Sequence, residues 1–386
     1  MTNQTQLKSS QRIYYLDYLR AFIVFVVIVL HSLLPFVIGY DWTINEPVKS
    51  LFLSNISTMI DVFIMPIMFF IAGYFAFPSI RKGVKGFIQG KVIRIVIPFF
   101  IGILFLAPII SYLGLIQHSV INMSYFTFYS TVLFNHQMNF QHYWFLSSLF
   151  LFFMVFALVY SVFKSKLEAI YEKSKTQAVS DRSILIFILG FLMIAIVLFY
   201  LIGRILPDGS WNTFFVFFSM QMTRWSNYAL YFGLGVIVFI KRINIAQFIL
   251  KHTFGIIMLA VSVNYLFLSF KYSVYWASDS APSLAIVQFY NASIHVLYCF
   301  VSLLTLLFFF QYLNKPNKVL ARLANNSFNV YLVHMVYTVI IQFFLFNIQM
   351  DIYLKFVITF IATIILSLAT SELITYLNKL LFTKKA

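Results

Sequence analysis

Charged side chains are scarce in this sequence. Only 10% of its 386 residues are Asp, Glu, Lys or Arg, whereas 62% are hydrophobic and 20% are aromatic. A soluble domain carries about 25% charged residues, and a chain this poor in polar side chains cannot cover a water-exposed surface. The composition therefore excludes a soluble globular protein and predicts an integral membrane protein.

Cysteine is nearly absent as well, since Cys299 is the only one and lies inside an apolar segment. A single thiol excludes an intramolecular disulfide and a thiolate metal cluster. Acidic residues number 11 against 27 Lys and Arg, which gives a formal net charge of +16. The basic residues lie in short clusters between apolar segments. Membrane topology explains this pattern better than nucleic acid does, so we expect no nucleic-acid partner.

Ten apolar segments are long enough to cross a hydrocarbon layer of about 30 Å. We therefore expect an all-α fold, a polytopic membrane protein of about ten transmembrane helices, as a single membrane-embedded domain over residues 1–386 with no fused soluble domain. The sixth segment is the shortest, and a start near Phe214 would place Arg224 and Trp225 at an interface or in a cavity. The predicted spans are Tyr14 to Gly39, Leu53 to Phe77, Val92 to Leu115, Tyr143 to Phe163, Ile184 to Leu206, Asn227 to Ile240, Thr253 to Phe270, Phe289 to Leu313, Ser327 to Asn347 and Tyr353 to Leu377.

The loops between these segments alternate between positively charged and nearly uncharged. Every second loop, beginning with the N-terminal segment, carries several Lys or Arg, while the intervening loops are nearly uncharged. Positively charged loops stay in the cytoplasm, so this alternation predicts that both termini are cytoplasmic. The longest polar segment, Lys164 to Arg182, is predicted to be a cytoplasmic loop.

The first span carries ionisable residues within an apolar run, DYLRAFIVFVVIVLHSLL. His31 lies eleven positions after Arg20, so both side chains leave one helix face about 16 Å apart along the axis, and Asp17 lies on that face too. Ionisable groups inside a span usually face a bundle interior or a water-filled cavity. The alternative is structural: Arg20 extends to the cytoplasmic headgroups and His31 hydrogen-bonds a neighbouring helix.

Asp61, in the outer half of the second span, lies at a depth that approaches His31. A carboxylate beside a histidine fixes the tautomer of the ring and stabilises its protonated form, as a general base requires. Asp61 is therefore a candidate partner of His31. Its structural alternative is to cap or hydrate the outer end of the helix.

Two cations open the third span. Lys91 and Arg94 are three residues apart and share a helix face on the cytoplasmic side, where they could bind phosphate groups. Ordinary positive-inside topology accounts for the same two residues.

The uncharged segment before the fourth span contains His118, His136 and His142, and Trp144 follows. The three histidines have no helical spacing and no accompanying carboxylate, so we expect no bound metal. Trp144 and its aromatic neighbours fit either an interfacial belt or a platform for a sugar ring.

Tyr331 and His334 share a face of the ninth span, two turns in from the cytoplasmic side. They are candidate cavity residues. For each of them, a hydrogen bond to a neighbouring helix is the alternative role.

Five segments in this order resemble the acyltransferase 3 family of multi-pass membrane acyltransferases, of the glucan-succinyltransferase-like type. The first of these segments contains an Arg, ten further residues and then a His, which here are Arg20 and His31. The segments are LDYLRAFIVFVVIVLHSLLPF, MPIMFFIAGYF, KVIRIVIPF, HYWFLSSL and NSFNVYLVHMVY. Ala72 stands where a serine is common, and Lys91 replaces the first of two arginines, which favours a charge-based role there over bidentate phosphate recognition.

The resemblance implies transfer of an acetyl or succinyl group from cytoplasmic acyl-CoA to a hydroxyl of an extracytoplasmic glycan. Acyl-CoA would be a co-substrate, with no permanently bound cofactor, and the setting a bacterial cytoplasmic membrane. In the resulting hypothesis, Arg20, Lys91 and Arg94 bind the CoA phosphates and His31 acts as the base.

Asp61 or another polar neighbour would orient His31, while His142, Trp144, Tyr331 and His334 line the acceptor side. An acyl-histidine relay is an alternative chemistry. A glycan exporter or secondary transporter, or a non-catalytic component of a glycan assembly complex, is an alternative function.

Overall fold

The computed structural model describes residues 13–134, 140–206, 208–214, 218–276 and 285–382. His136, one of the three histidines before the fourth span, lies outside the described residues. The strands are β1 (Trp211–Phe214) and β2 (Phe218–Gln221). The helices are α1 (Tyr14–Leu33), α2 (Leu51–Ile80), α3 (Val84–Lys91), α4 (Ile97–Ile101), α5 (Ala107–Gln117), α6 (Tyr125–Phe134), α7 (Trp144–Thr176), α8 (Asp181–Ile205), α9 (Met222–Ile240), α10 (Ile245–Lys251), α11 (Thr253–Trp276), α12 (Ala285–Phe310), α13 (Lys318–Phe346) and α14 (Ile352–Phe382).

Membrane-spanning helices make up most of the fold. Among the described residues, nine helical stretches are long and apolar enough to cross a membrane. Helices α9 and α10 pass the same test only together, with a bend of 95° between them, and bring the number to ten. The prediction of an all-α polytopic membrane protein is therefore confirmed.

Two boundaries differ from the prediction. Helix α9 begins at Met222, and the residues just before it form an antiparallel hairpin in which Trp211 pairs with Gln221. The helix therefore does not extend back to Phe214. Helix α7 continues to Thr176 through a bend at Phe163, so most of the predicted loop from Lys164 to Arg182 is helical. Lys and Glu are good helix formers, and an ion pair between Lys175 and Glu172 supports its last turns.

The third span is one helical stretch, Val84–Gln117, interrupted by two π turns. The turns are Val92–Val96 and Gly102–Leu106, and a proline follows each of them within two residues. Proline removes a backbone donor and clashes with the preceding turn, which a locally widened helix relieves. In the second turn, Gly102 lies against the ring of Tyr143, where a Cβ atom would overlap it. This close approach places the start of α7 beside the third span.

Helix α1 lies at the centre of the bundle. Ile23 and Val27 belong to one large apolar cluster with residues of α2, α9 and α12, whereas Val24 and Ile28 belong to a second with residues of α2, α7 and α9. A helix that is apolar on all sides is expected to be buried among others. The central position of α1 brings His31 among the surrounding helices, whereas the Arg20 side chain, near the start of α1, is 39% exposed.

Helices α2 and α9 cross with their backbones in contact. A Cβ atom at Gly73 would overlap the carbonyl of Phe232, and one at Gly235 would overlap the carbonyl of Phe70. Small residues permit this approach in membrane helices. The crossing brings the first turn of α9, with Arg224, against the outer half of α2, with Asp61.

Candidate functional site

A cavity of about 780 Å³ opens at the end of the bundle where α1 finishes and α2 begins. Its walls come from α1, α2, α7, α9, α11, α12 and α13, from residues 37–43 and from the hairpin before α9. The cavity is lined by His31, Asp61, His142, Trp144 and Tyr331, all of which the sequence had marked as candidates. The first and ninth spans thus meet the segment before α7 at one place.

His31 is held by a chain of hydrogen bonds that fixes its tautomer. His334 Nδ1 lies 2.7 Å from the carbonyl oxygen of Tyr331, which can only accept, so this nitrogen donates. In the neutral ring, Nε2 of His334 is then an acceptor, and it lies 3.0 Å from Nδ1 of His31. His31 therefore donates through Nδ1. Its Nε2 keeps a lone pair, on a ring that lines the cavity.

The carbonyl of Tyr331 also orients His142. His142 Nε2 donates to this oxygen over 3.0 Å, and the Tyr331 hydroxyl donates back to the His142 carbonyl over 2.5 Å. The remaining nitrogen of His142, Nδ1, is buried without a partner among the described residues. It is the acceptor nitrogen of the ring, so a second imidazole lone pair lies near His31, with 6.4 Å between the two ring centroids.

Aromatic rings form one wall of the cavity. Trp144 stacks on Tyr228 with 5.8 Å between ring centroids, and it packs edge-to-face with Trp211 from the hairpin, with 5.6 Å between their centroids. All three residues line the cavity. This wall combines flat apolar ring faces with polar groups nearby.

Asp61 does not contact His31, so the prediction that it orients this histidine is wrong. Its carboxylate hydrogen-bonds the guanidinium of Arg224, which also donates to Asp208 over 2.8 Å. A guanidinium can satisfy two carboxylates, and α9 presents Arg224 to α2 at this level. Burial by itself raises the pKa of Asp208, but the charge of Arg224 outweighs it and holds the pKa of that carboxyl well below its ordinary value. His334 takes the place predicted for Asp61.

The three predicted phosphate-binding cations lie away from the cavity. Arg20 donates to the Ala324 carbonyl over 3.3 Å and lies 3.9 Å from Asp17. The Lys91 ammonium lies over the ring of Phe153, 3.7 Å from its centroid, and Arg94 is exposed. None of the three lines the cavity described above.

Apolar side chains separate Arg20 from His31. Val24, Val27 and Ile28 occupy the helix face between them and are at most 2% exposed. Of these, Val27 reaches the cavity wall, while Val24 and Ile28 pack into the core. In this conformation the cavity is therefore closed towards the Arg20 end of α1.

Sequence reasoning missed two residues that support His31, Gln342 and Trp42. Gln342 donates to the carbonyl of His31 over 2.9 Å and accepts from the indole nitrogen of Trp42 over 3.1 Å. A pattern could have revealed Gln342. Tyr331, His334, Thr338 and Gln342 follow one another by three, four and four residues, which places one polar stripe along α13. Trp42 lies in a loop, where no periodic signal exists.

A family model described as an acyltransferase domain matches residues 13–375, nearly the whole chain. The chain belongs to the acyltransferase 3 family. No curated protein and no solved structure matches this acyltransferase significantly. Four of its five motif segments supply walls of the cavity, through His31, Met65, His142 and Tyr331. The fifth, KVIRIVIPF, contains Lys91 and Arg94 and the first π turn.

Proposed function

We propose that this membrane acyltransferase moves an acetyl or succinyl group from acyl-CoA in the cytoplasm to a hydroxyl of an extracytoplasmic glycan, with His31 as general base. The observation that carries the proposal is the fixed tautomer of His31. Its Nδ1 is occupied by His334, and its Nε2 lone pair is available on a ring that lines the cavity. An imidazole presented in this way accepts a proton from a bound hydroxyl.

The reaction places one proton on His31 and returns it. Nε2 takes the hydroxyl proton as the acceptor oxygen attacks the thioester carbonyl. The carbon–sulfur bond then breaks, the acyl group stays on the acceptor oxygen, and the leaving CoA sulfur takes the proton from His31. The donation from His31 Nδ1 to His334 keeps the ring oriented while Nε2 is protonated. This route needs no covalent acyl-histidine.

The cavity suits a sugar as acceptor. Trp144, Tyr228 and Trp211 offer ring faces for the apolar side of a pyranose, and Asp61 lies 45% exposed on the same cavity as an acceptor for hydroxyl groups. A cavity of about 780 Å³ is within the range of small-molecule sites. His142 Nδ1, a buried lone pair near His31, is a further acceptor for a hydroxyl.

The donor would approach from the opposite end of α1. The alternation of charged loops supports a cytoplasmic location for both termini. The bacterial plasma membrane is the setting that the family resemblance implies. Arg20 lies one turn before Val24, which packs in the same apolar cluster as Phe87, four residues before Lys91, and Ile95, the residue after Arg94. We assign Arg20, Lys91 and Arg94 to the CoA phosphates by their charge and by their predicted position on the cytoplasmic side. Entry of the thioester then requires the side chains around Val24 and Ile28 to part.

Mass spectrometry of envelope glycans tests the proposed function. Cells that make the protein are compared with cells that lack it, with membrane levels of the protein measured by immunoblotting. We expect a defined mass increment, that of an acetyl or a succinyl group, only when the protein is present. Equal acylation together with a different amount of glycan outside the cell would instead identify a transporter.

Loss of the His334 ring should slow transfer without removing it. In His334→Ala, the buried Nδ1 donor of His31 has no acceptor, which costs about 1–3 kcal/mol, or about 5- to 150-fold in rate if the loss falls on the transition state. His334→Gln retains an acceptor oxygen and is the matched variant, expected to lie between Ala and wild type. The measurement is incorporation of label from radioactive acetyl-CoA or succinyl-CoA into envelope material by membrane vesicles. Equal rates in Ala and wild type would contradict the role of His334.

A further inference from the structure

Residues 37–50, which we call the strap, connect α1 to α2 and lie across the outer end of the bundle. The strap is bound to several elements. Asn45 N donates to Gln117 Oε1 over 3.4 Å, and the Ser50 hydroxyl lies 3.1 Å from the hydroxyl of Tyr353. At Gly114, a Cβ atom would come within 2.8 Å of the Thr43 methyl group. The strap is thus attached to both α5 and α14, at either side of α13.

A buried ion pair anchors the strap. The Lys355 ammonium lies 2.8 and 3.0 Å from the two carboxylate oxygens of Glu46, and both side chains are only 6% exposed. The same ammonium donates to the Phe346 carbonyl. Removing one partner of such a pair leaves an uncompensated charge, so the pair holds the strap in one position. Neither residue lines the cavity, so the buried ion pair attaches the strap and does not contact a substrate.

The attached strap places Trp42 beside His31. The two rings are nearly parallel, with an angle of 11° and 5.5 Å between their centroids. Trp42 is fixed in turn by its indole nitrogen on Gln342, which donates to the carbonyl of His31. Gln342 therefore links the indole of Trp42 to the backbone of His31, the residue that the indole covers. It is itself 4% exposed, so it has no competing water at the surface.

We propose that Trp42 is a positioning residue for acyl transfer, held by Gln342 and by the Glu46–Lys355 pair. The indole limits rotation of the His31 ring and presents an aromatic surface to the positive charge that forms when Nε2 is protonated. The inference rests on the proposed function of His31 as the base. Trp42 acts through His31 and contributes no bond of its own to the reaction.

Rates of transfer in vesicles test this role. In Trp42→Leu we expect kcat to fall about tenfold, the equivalent of about 1.4 kcal/mol, with the KM for acyl-CoA unchanged. Trp42→Phe keeps a ring over His31 and should recover most of the lost kcat. If residue 42 merely filled space, the Phe variant should be no better than the Leu variant. Val48→Ala, at a 57% exposed position of the same strap, is the matched control and should equal wild type. A Leu variant with wild-type kcat, or a Phe variant no better than Leu, would overturn the proposal.

A second measurement does not depend on transfer. In a Cys299→Ser background, His31→Cys supplies the one thiol of the chain, and its reaction rate with a membrane-impermeant thiosulfonate reports access to that position. We expect the rate to rise several-fold when Trp42→Leu or Glu46→Gln is added, and to remain unchanged with Val48→Ala. An unchanged rate in Trp42→Leu and Glu46→Gln would show that the strap does not cover residue 31. If wild type shows no transfer but these rates rise, the proposed function fails while the role of the strap remains.

Discussion

Replacement of His31 by alanine should lower acylation by about 10²- to 10⁴-fold, the usual contribution of a positioned general base. The substitution removes the only ring that combines an Nδ1 donor to His334 with an Nε2 lone pair on the cavity wall. The carbonyl of residue 31 still accepts from Gln342, because that bond is made to the backbone. The helix and its neighbours should therefore be retained, and the loss should appear in the rate.

The assay is mass spectrometry of the envelope glycans at matched membrane levels of protein. The control is His252→Ala, since His252 lies between α10 and α11 beside Asp181 and outside the cavity. We expect full acylation in this control. Acylation by His31→Ala at the level of the control would mean that another group takes the proton, and the proposed mechanism would be wrong.

Gly235→Ala should prevent the protein from folding, although it adds a single methyl group. That group would overlap the backbone carbonyl of Phe70, and a backbone atom cannot move aside as a side chain can. Overpacking in a core costs about 1–3 kcal/mol, and more where the backbone must shift. We therefore expect little or no monodisperse protein in size-exclusion chromatography of solubilised membranes.

Gly233→Ala is the matched control, two residues away on the same helix. A Cβ atom there meets nothing within 4 Å. Alanine is favoured over glycine in a helix by about 1 kcal/mol, so this variant should fold as well as wild type or better. Equal yields of the two variants would contradict the close contact between α2 and α9.

The fold was largely predictable because each span has to satisfy its own backbone hydrogen bonds in lipid. Length and hydropathy alone therefore located nine spans well. The exception was α9, which carries Arg224 near its start and is followed by a 95° bend. The two strands before it depend on pairing between Trp211 and Gln221, and short apolar runs such as these read equally well as helix.

The site was predictable only where polar residues stand out against an apolar background. His31, His142, Tyr331 and His334 were found in this way, and they do converge. Their pairing was not predictable, because the partner of a buried group depends on how helices rotate and cross. The sequence offered Asp61 or another polar neighbour as the partner of His31, and the crossing of α2 with α9 pairs Asp61 with Arg224 instead.

The apolar side chains between Arg20 and His31 have a consequence for the energy supply of the cell. Histidines that line a cavity open to one side of the membrane exchange protons with that side. If the cavity were also open at the Arg20 end of α1, protons could cross the membrane and dissipate the proton gradient. Val24 and Ile28, at most 2% exposed, provide the insulation. If the acyl group is drawn from the other side, as we propose, these side chains must part for each turnover. The donor then has to fill the passage as it enters, so that the passage stays closed to protons.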